Sequence, residues 1–285
     1  MMRALVVTVA VAPAVLLGCR RVETPPSANV VLASAAKLPS EPSDAAWNAA
    51  PEYVAKLIPQ DLVDPRLMTA STAELRVRAL SDGSRAAFRL EWRDETPDDM
   101  SATARFADAC AVQFPAAVEP TVPSPQMGEA GRPVAITYWS ASWQAFVDGR
   151  GNSLQDIYPN AAIDHYPFEA ASLKSGSAEQ QAMAARYAPA HALGNDLAGP
   201  RKLPVQDLIA EGPGTLSPVA STDSDGRGSR TQDGWAVVIR RQLPAGFAEQ
   251  LHTQIAFAVW EGSHEEVGAR KMRTAWITLT NQEKP

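Results

Sequence analysis

Lys271 lies in a charged connection between two predicted strands near the C-terminus. Apolar residues alternate with small ones over 255–259, which predicts a strand that runs into a turn at 260–262, and a second apolar run begins at Trp276. A lysine in such a connection is most often a solvated surface residue. Its amine binds a metal only in the neutral form, which burial favours.

Met127 is the methionine whose surroundings suggest a second chemical role. Pro123 and Pro125 precede it, and Gly128 and Gly131 follow it. Prolines fix the loop, and glycines let the backbone come close to a flat ligand. Taken alone, a methionine in this setting is more often a gap-filling core residue.

The rest of the sequence contains few of the residue spacings that are typical of catalytic or metal-binding sites. The four histidines (165, 191, 252 and 264) include no two at metal-binding spacing, and His264-Glu265-Glu266 is interpreted as a solvated loop. The sequence has no Gly-x-Ser-x-Gly, P-loop or dinucleotide fingerprint. It also has no Cys-x-x-Cys-His, which excludes covalent haem attachment of the c type. An independent catalytic role is therefore disfavoured.

Composition narrows the class of protein and of partner. The 285 residues carry a net charge of −6, which argues against nucleic acid and anionic membrane surfaces as main partners. With 23 Pro and 17 Gly and few long helical patterns, the chain favours an all-β or loop-rich domain.

The N-terminus predicts export and a lipid anchor. Residues 1–19 have a basic start at Arg3 and an apolar run that ends Leu-Leu-Gly-Cys, which is typical of a lipoprotein signal peptide with lipidation at Cys19. A plain secretory signal with an incidental cysteine is the alternative. The Pro/Ser/Ala-rich segment 20–43 is predicted to be a flexible tether, and Cys110 a small buried residue.

Period-2 patterns predict an all-β fold over residues 44–281. Alternating apolar residues over 75–79 and 88–92 flank a turn at 81–84, which indicates a hairpin with one buried face. Further strands are predicted over 107–114, 134–146, 235–239 and 255–259, a short helix over 178–187, and an exposed turn over 221–233. Most of 149–234 has no clear pattern. We expect a β-sandwich with long loops and one or two short helices.

Three segments together resemble one known family. They are Phe-Ala-Val-Trp-Glu-Gly followed by Lys-x-x-Thr-x-Trp at 257–276, Phe-Pro…Met-Gly…Gly-x-Pro-Val at 114–134, and Pro-Val-Gln-Asp-Leu-Ile-Ala-Glu-Gly at 204–212. This ordered set resembles the haem-binding gamma subunits of ethylbenzene dehydrogenase and of the related selenate, chlorate and dimethyl-sulfide-oxidising molybdenum enzymes. The resemblance covers most of residues 46–280.

The resemblance implies a non-covalent b-type haem whose iron is bound axially by Met127 and Lys271. It also implies an electron-transfer subunit rather than an enzyme, with a molybdopterin catalytic subunit and an iron–sulfur subunit as partners and a c-type cytochrome as a further candidate. Arg270 offers a neighbouring cation, but arginine does not readily donate a lone pair to iron. Arg240 and Arg241 either face the haem propionates or lie exposed at a strand end.

A second hypothesis from another class stays open. The same sandwich without haem would be an envelope lipoprotein that binds carbohydrate, because fold alone does not separate the two functions. Both hypotheses place the protein on the extracytoplasmic side of a membrane, held there by lipid at Cys19 rather than by a spanning helix.

Overall fold

Strands are the main regular secondary structure among the residues that the structure describes. The computed structural model describes residues 27–151, 154–161, 174, 177–187 and 201–282. Within them the strands are β1 Val30–Ser34, β2 Tyr53–Lys56, β3 Ile58–Pro59, β4 Glu74–Ser81, β5 Arg85–Arg93, β6 Ala109–Pro115, β7 Val134–Ser140, β8 Val205–Ala210, β9 Ser217–Pro218, β10 Asp225–Arg230, β11 Gly234–Gln242, β12 His252–Trp260, β13 Met272–Arg273 and β14 Ile277–Asn281. The helices are α1 Ala141–Val147, α2 Leu154–Ile157, α3 Ala178–Tyr187 and α4 Phe247–Gln250, with short 3-10 turns at Ala45–Ala49 and Gly262–His264.

The predicted hairpin of β4 and β5 is confirmed, together with its turn. Asp82 organises the turn because its Oδ1 accepts hydrogen bonds from the backbone N–H groups of Ser84 at 3.0 Å and Arg85 at 2.8 Å. Gly83 adopts a φ of 102°, a left-handed conformation that glycine reaches at little cost. The strands pair antiparallel with their apolar alternate residues buried, as period 2 requires.

The strands form two faces that share one core. The hydrogen-bonded path runs β10-β11-β5-β4-β1-β14-β12-β6-β7-β8-β9. Its first half runs from β10 to β14, and its second half runs from β12 to β9. Aromatic rings from the two halves of this path meet: Phe88 lies 5.7 Å from Phe114, and Trp139 lies 6.4 Å from Trp92 and 5.2 Å from Trp235, centroid to centroid. The expected all-β sandwich is therefore confirmed.

Strand β12 connects the two halves. Its first residues, up to Ile255, pair with β14, and its remaining residues, from Ala256, pair with β6 and β13. The stretch that the sequence marked as a strand before the charged connection is thus a central strand. It also pairs with β13, which follows that connection and pairs with β3 on its other side.

The predicted tether differs from the structure in its second part. Residues 30–34 form β1, which lies between β4 and β14 and pairs parallel with both. Val30 and Leu32 are fully buried. A short apolar run among Pro, Ser and Ala gives little local signal, because its strand partners are distant in sequence. Cys19, the signal segment and the tether up to residue 26 lie outside the described residues.

Three other predictions about local structure need correction. The strand predicted over 134–146 ends at Ser140, and α1 follows, because the apolar residues Trp143, Phe146 and Val147 are spaced by three and four. The exposed turn predicted over 221–233 contains β10, in which Gly228 leaves room for the Trp139 indole. The stretch 149–234, predicted to be mostly irregular, also contains β8, β9 and α2. The short helix predicted over 178–187 is confirmed as α3.

Cys110 is buried in the shared core, where burial raises the pKa of its thiol well above the ordinary value. The thiol is thus kept protonated and apolar, as the sequence predicted. In the described part of the chain, no helix has the length and apolar character to cross a membrane.

Candidate functional site

The outer face of the second half of the sandwich is the floor of a cavity of about 540 Å³. Strand register places two rows of side chains across four strands, because β12, β6, β7 and β8 pair in that order. Three of the eight floor residues are alanines, which leaves space above the sheet. The rows are Ala258, Ala111, Tyr138, Gln206 and Ala256, Gln113, Ile136, Leu208.

Strand β13 extends this floor on the other side of β12, and two cations lie next to its Met272: Lys271 just before the strand and Arg273 within it. Arg273 pairs with Ala258 and Met272 with Val259, so Lys271 and Arg273 share the face of the cavity. Met272 points to the opposite face and is fully buried in the core. The period of two thus separates the methionine of β13 from the cavity and brings the flanking cations to it.

The Lys271 amine lies in an apolar and aromatic environment. Its Nζ is 5.1 Å from the centroid of the Trp260 ring. Burial lowers the pKa of the ammonium to about 8, and the charge of Arg273 adds a smaller effect in the same direction. Among the described residues, no carboxylate forms a salt bridge with Lys271. The neutral amine is consequently much easier to form here than on an exposed lysine.

Gln60 fixes the backbone on both sides of Lys271. Its backbone N–H donates to the Lys271 carbonyl at 2.9 Å, and its side-chain Nε2 donates to the carbonyl of Ala269 at 3.1 Å. Its Oε1 accepts from the N–H groups of Leu62 and Val63, both at 2.8 Å. Gln60 is buried and therefore holds the loop at 60–63 and the segment before β13 as one unit.

The loop that carries Met127 closes the cavity near the far end of β7 and β8. Met127 has a φ of 67°, and its carbonyl accepts a hydrogen bond from the Gly212 N–H at 2.8 Å. The Gln113 Nε2 donates to the Pro125 carbonyl at 3.0 Å, and the Trp276 Nε1 donates to the Pro123 carbonyl at 2.7 Å. The loop is thus tied to three separate parts of the sandwich.

Gly128 allows this loop to lie against the sheet, and its replacement by alanine should be destabilising. A Cβ at this position would lie 2.9 Å from the Ala210 carbonyl oxygen and 3.0 Å from that of Arg132, at a φ of 80°. We expect Gly128→Ala to lower the free energy of unfolding by about 3 kcal/mol, measured by urea denaturation.

Gly131 is the matched control for Gly128. It has a similar φ of 74°, but a Cβ there would meet nothing within 4 Å. Gly131→Ala should therefore include only the cost of the left-handed conformation, about 1 kcal/mol. Equal losses in the two variants would contradict the close packing of the loop against β8.

Three aromatic side chains form one wall of the cavity. The ring centroid of Tyr138 lies 5.2 Å from those of Trp143 and Trp260, with near-perpendicular planes. The guanidinium carbon of Arg201 lies 3.5 Å from the centroid of the Trp143 ring. Met127 and Lys271, more than 140 residues apart in sequence, both line the same cavity. It therefore offers a thioether, an amine and flat apolar surfaces together.

Comparison with known proteins identifies the family. The family model described as ethylbenzene dehydrogenase matches residues 44–272, which include both Met127 and Lys271. The chain belongs to the ethylbenzene dehydrogenase family. The resemblance inferred from the three sequence segments is thus confirmed.

Relatives of the chain carry names from the same group of proteins. A protein of Haloferax mediterranei named as a respiratory nitrate reductase haem subunit is 25% identical over 246 residues, covering 84% of this chain and 67% of its own. The chlorate reductase subunit gamma of Ideonella dechloratans is 26% identical over 250 residues, covering 84% of this chain and 79% of its own.

Among solved structures, a family 9 carbohydrate-binding module of Caldicellulosiruptor kristjanssonii with cellotriose matches at a TM-score of 0.43 and 9% identity. The match covers 90% of this chain and 94% of that module.

The other candidate residues of this member of the ethylbenzene dehydrogenase family do not line the cavity. His264 pairs with Glu261 at 3.1 Å, outside the cavity. Arg240 pairs with Asp225, and Arg241 is buried with its guanidinium on the carbonyls of Val112 and Ala135, so neither lines the cavity. His165 and His191 lie outside the described residues, and within the described ranges no group of three or more His, Cys, Asp or Glu side chains is arranged to hold a metal.

Sequence reasoning missed three residues of the cavity. Gln60 and Tyr138 carry no motif of their own, and only the register places them beside the site. Arg273 had a usable signal, because a strand through 271–273 would put positions 271 and 273 on one face. The strand that forms, β13, covers only residues 272 and 273 and lies within a charged connection, where no apolar alternation indicates a strand.

Proposed function

We propose that this protein is a haem-binding electron-transfer subunit. In this proposal Met127 and Lys271 would be the two protein ligands of the iron of one non-covalent b-type haem. The observation that carries it is the shared cavity: the two predicted ligands, distant in sequence, line one space above a floor of small side chains. Membership in the ethylbenzene dehydrogenase family supports the same interpretation.

The residues of the cavity suit a flat, largely apolar cofactor. Its volume of about 540 Å³ falls within the roughly 300–1,000 Å³ of ordinary ligand pockets. The floor has space above it because three of its side chains are alanines: 111, 256 and 258. The aromatic rings of Trp260 and Tyr138 also line the cavity. The donor set is one thioether and one amine that loses its proton readily, and both bind iron without covalent attachment to the macrocycle.

Each ligand has a distinct chemical role in this proposal. A bound haem supplies one-electron chemistry. Met127 would favour the reduced metal, because a thioether is a weak donor that raises the reduction potential. Lys271 would bind as a neutral amine. With two protein ligands the iron would have no open position for oxygen or substrate, so the site would relay electrons rather than catalyse.

The partners are proposed from the names of the relatives. One relative is named as a haem subunit of a nitrate reductase and the other as the gamma subunit of a chlorate reductase. We infer that this chain also exchanges electrons within a molybdenum oxidoreductase complex, with a molybdopterin catalytic subunit and an iron–sulfur subunit, and with a c-type cytochrome as a further candidate. Co-purification of the tagged chain with a molybdenum-containing subunit would test this.

The proposed location is the extracytoplasmic face of a membrane, with lipid attached at Cys19. The support is the lipoprotein-like end of the signal segment, Leu-Leu-Gly-Cys. We expect Cys19→Ala to move the protein from the membrane fraction to the soluble fraction, since the lipid would be its anchor. Wild-type protein found wholly in the soluble fraction would contradict the anchor.

An absorption spectrum of the purified protein, made in cells with ample haem, tests the function directly. We expect a Soret band that shifts on reduction, with sharp bands of a low-spin six-coordinate iron. A colourless protein would instead support the haem-free sandwich that binds another envelope component. Haem lost on treatment with acid and organic solvent would identify it as non-covalent.

Coordination by Lys271 should depend on pH in a defined direction. The pKa of its ammonium is about 8 in the protein without ligand. Below that pH one proton must leave before the amine binds iron. We expect the apparent affinity for ferric haem to fall about tenfold for each pH unit below 8 and to be flat above it. The measurement is a haem titration of apoprotein from pH 6 to 9, and a flat profile would contradict amine ligation.

A further inference from the structure

Arg273 is a cation on the cavity wall that the ligand assignment does not use. Its side chain is 11% exposed. Its Nε is buried with no hydrogen-bond partner in the described part of the chain. The nearest carboxylate oxygen, Oδ1 of Asp61, lies 4.0 Å from the guanidinium on a side chain that is 55% exposed. The positive charge of Arg273 is therefore balanced only by one long ion pair with an exposed carboxylate.

The side chains that line the cavity include more positive than negative charges. Its charged lining residues are Asp64, Lys271 and Arg273. The Asp64 carboxylate accepts from the Arg66 Nε at 3.0 Å, and its side chain is 83% exposed. The Asp64 carboxylate is thus solvated and paired with Arg66, and it does not neutralise the two cations. Arg273 keeps its charge when Lys271 binds as a neutral amine. It is left beside a largely apolar space, and a charge there is costly unless an anion enters the space.

The two cations differ in what they can bind. Lys271 is assigned to the iron in the proposed function, because its neutral amine has a lone pair to donate. The guanidinium keeps its proton and presents a planar set of donors that matches a carboxylate. Register places Arg273 beside Ala258, directly in line with the floor of the cavity. An acid group on a ligand lying over that floor would meet Arg273.

We propose that Arg273 binds a carboxylate of the porphyrin and that the cavity consequently selects haem with free propionate groups. The inference rests on the proposed haem function and adds the residue that recognises the acid edge of the cofactor. Arg240 and Arg241, which the sequence offered for this role, are held elsewhere. Arg273 is a binding residue in this account and does not touch the iron.

The test compares two porphyrins that differ only at the acid groups. Apoprotein is titrated with ferric protoporphyrin IX and with its dimethyl ester, in the same low concentration of detergent. We expect wild-type protein to prefer the diacid by roughly ten- to a hundredfold, because a charged hydrogen bond is lost with the ester. Arg273→Gln should lose that preference by weakening the diacid alone, with the low-spin spectrum retained.

Two further variants separate recognition from folding. Arg273→Lys keeps the charge but not the fork, and should keep part of the preference. Arg270→Gln makes the same chemical change three residues earlier, on a half-buried side chain outside the cavity wall, and should leave both affinities unchanged. Urea denaturation of each apoprotein establishes that the variants fold.

The possible results distinguish this inference from the function on which it rests. Equal affinity of wild-type protein for both porphyrins, with a low-spin spectrum, would overturn the role of Arg273 and leave the haem site standing. Equal weakening of both porphyrins in Arg273→Gln would mean that Arg273 only supports the fold. Failure of wild-type protein to bind either porphyrin would overturn the haem function, and this inference with it.

Discussion

Lys271→Leu should abolish six-coordinate haem binding and, at the same time, stabilise the haem-free protein. The leucine has no lone pair, so the iron would lose one axial ligand and its low-spin spectrum. In the apoprotein the same change removes an ammonium from an apolar cavity wall. Burial lowers the pKa of this ammonium from an ordinary 10.5 to about 8, in the direction that this cost requires. The expected gain in free energy of unfolding at pH 7 is on the order of 1–3 kcal/mol.

The pH dependence of this gain follows from the direction of the shift. Between pH 8 and 10.5 the unfolded chain holds a proton on Lys271 that the folded chain has released. The stability of the wild-type apoprotein relative to the leucine variant should therefore rise through this window. The penalty is fully present below pH 8. Urea unfolding of both proteins at pH 7 and at pH 10 measures the difference.

Lys37→Leu is the matched control for the Lys271 variant. Lys37 is exposed, so the same substitution there removes no buried charge. It should change neither the haem spectrum nor the stability by more than about 0.5 kcal/mol. If Lys271→Leu retained the low-spin spectrum, or destabilised the apoprotein, the account of this lysine as a buried ligand would fail.

Met127→His should keep six-coordination and lower the reduction potential. Histidine tolerates the positive φ of this position better than most residues, and its ring nitrogen binds iron. Exchange of a thioether for an imidazole removes a ligand that favours the reduced metal. We expect a fall on the order of 0.1 V, within the roughly 0.8 V range that axial ligands set. Spectroelectrochemical titration measures it.

Met68→His provides the control for the Met127 variant, because Met68 is 74% exposed and does not line the cavity. It should leave the potential and the spectrum as they are in the wild type. A Met127→His variant with an unchanged potential would contradict iron ligation by Met127. A large shift in the Met68 variant would point to a nonspecific effect of added histidine.

Apolar alternation and turn residues in the sequence predicted those strands and hairpins that form between neighbouring segments. The β4–β5 hairpin follows from alternation around an Asp-Gly turn, and β12 from alternation before a turn. The same alternation, once strand register is known, explains why Ala256 and Ala258 face the cavity while Phe257 and Val259 face the core. The ordered motifs, rather than periodicity, pointed to Met127 and Lys271.

Features that depend on distant pairing could not be predicted in the same way. Strand β1 is stabilised by β4 and β14, one of which is nearly 250 residues away, and its own residues resemble a linker. Strand β10 contains Gly226, which lies against Val205, and Gly228, which lies against the Trp139 indole, so its composition resembles a turn. Arg273 and Gln60 reach the cavity through backbone pairing that leaves no motif.

Iron X-ray absorption of the haem-loaded protein tests the central claim most directly, because the claim is that one sulfur and one amine nitrogen bind the same iron. The account predicts one sulfur atom in the first coordination shell of the wild-type protein. It predicts loss of that sulfur in Met127→His and its retention in Lys271→Leu, with one nitrogen fewer. A wild-type shell without sulfur, or a sulfur that persists in Met127→His, would contradict the account.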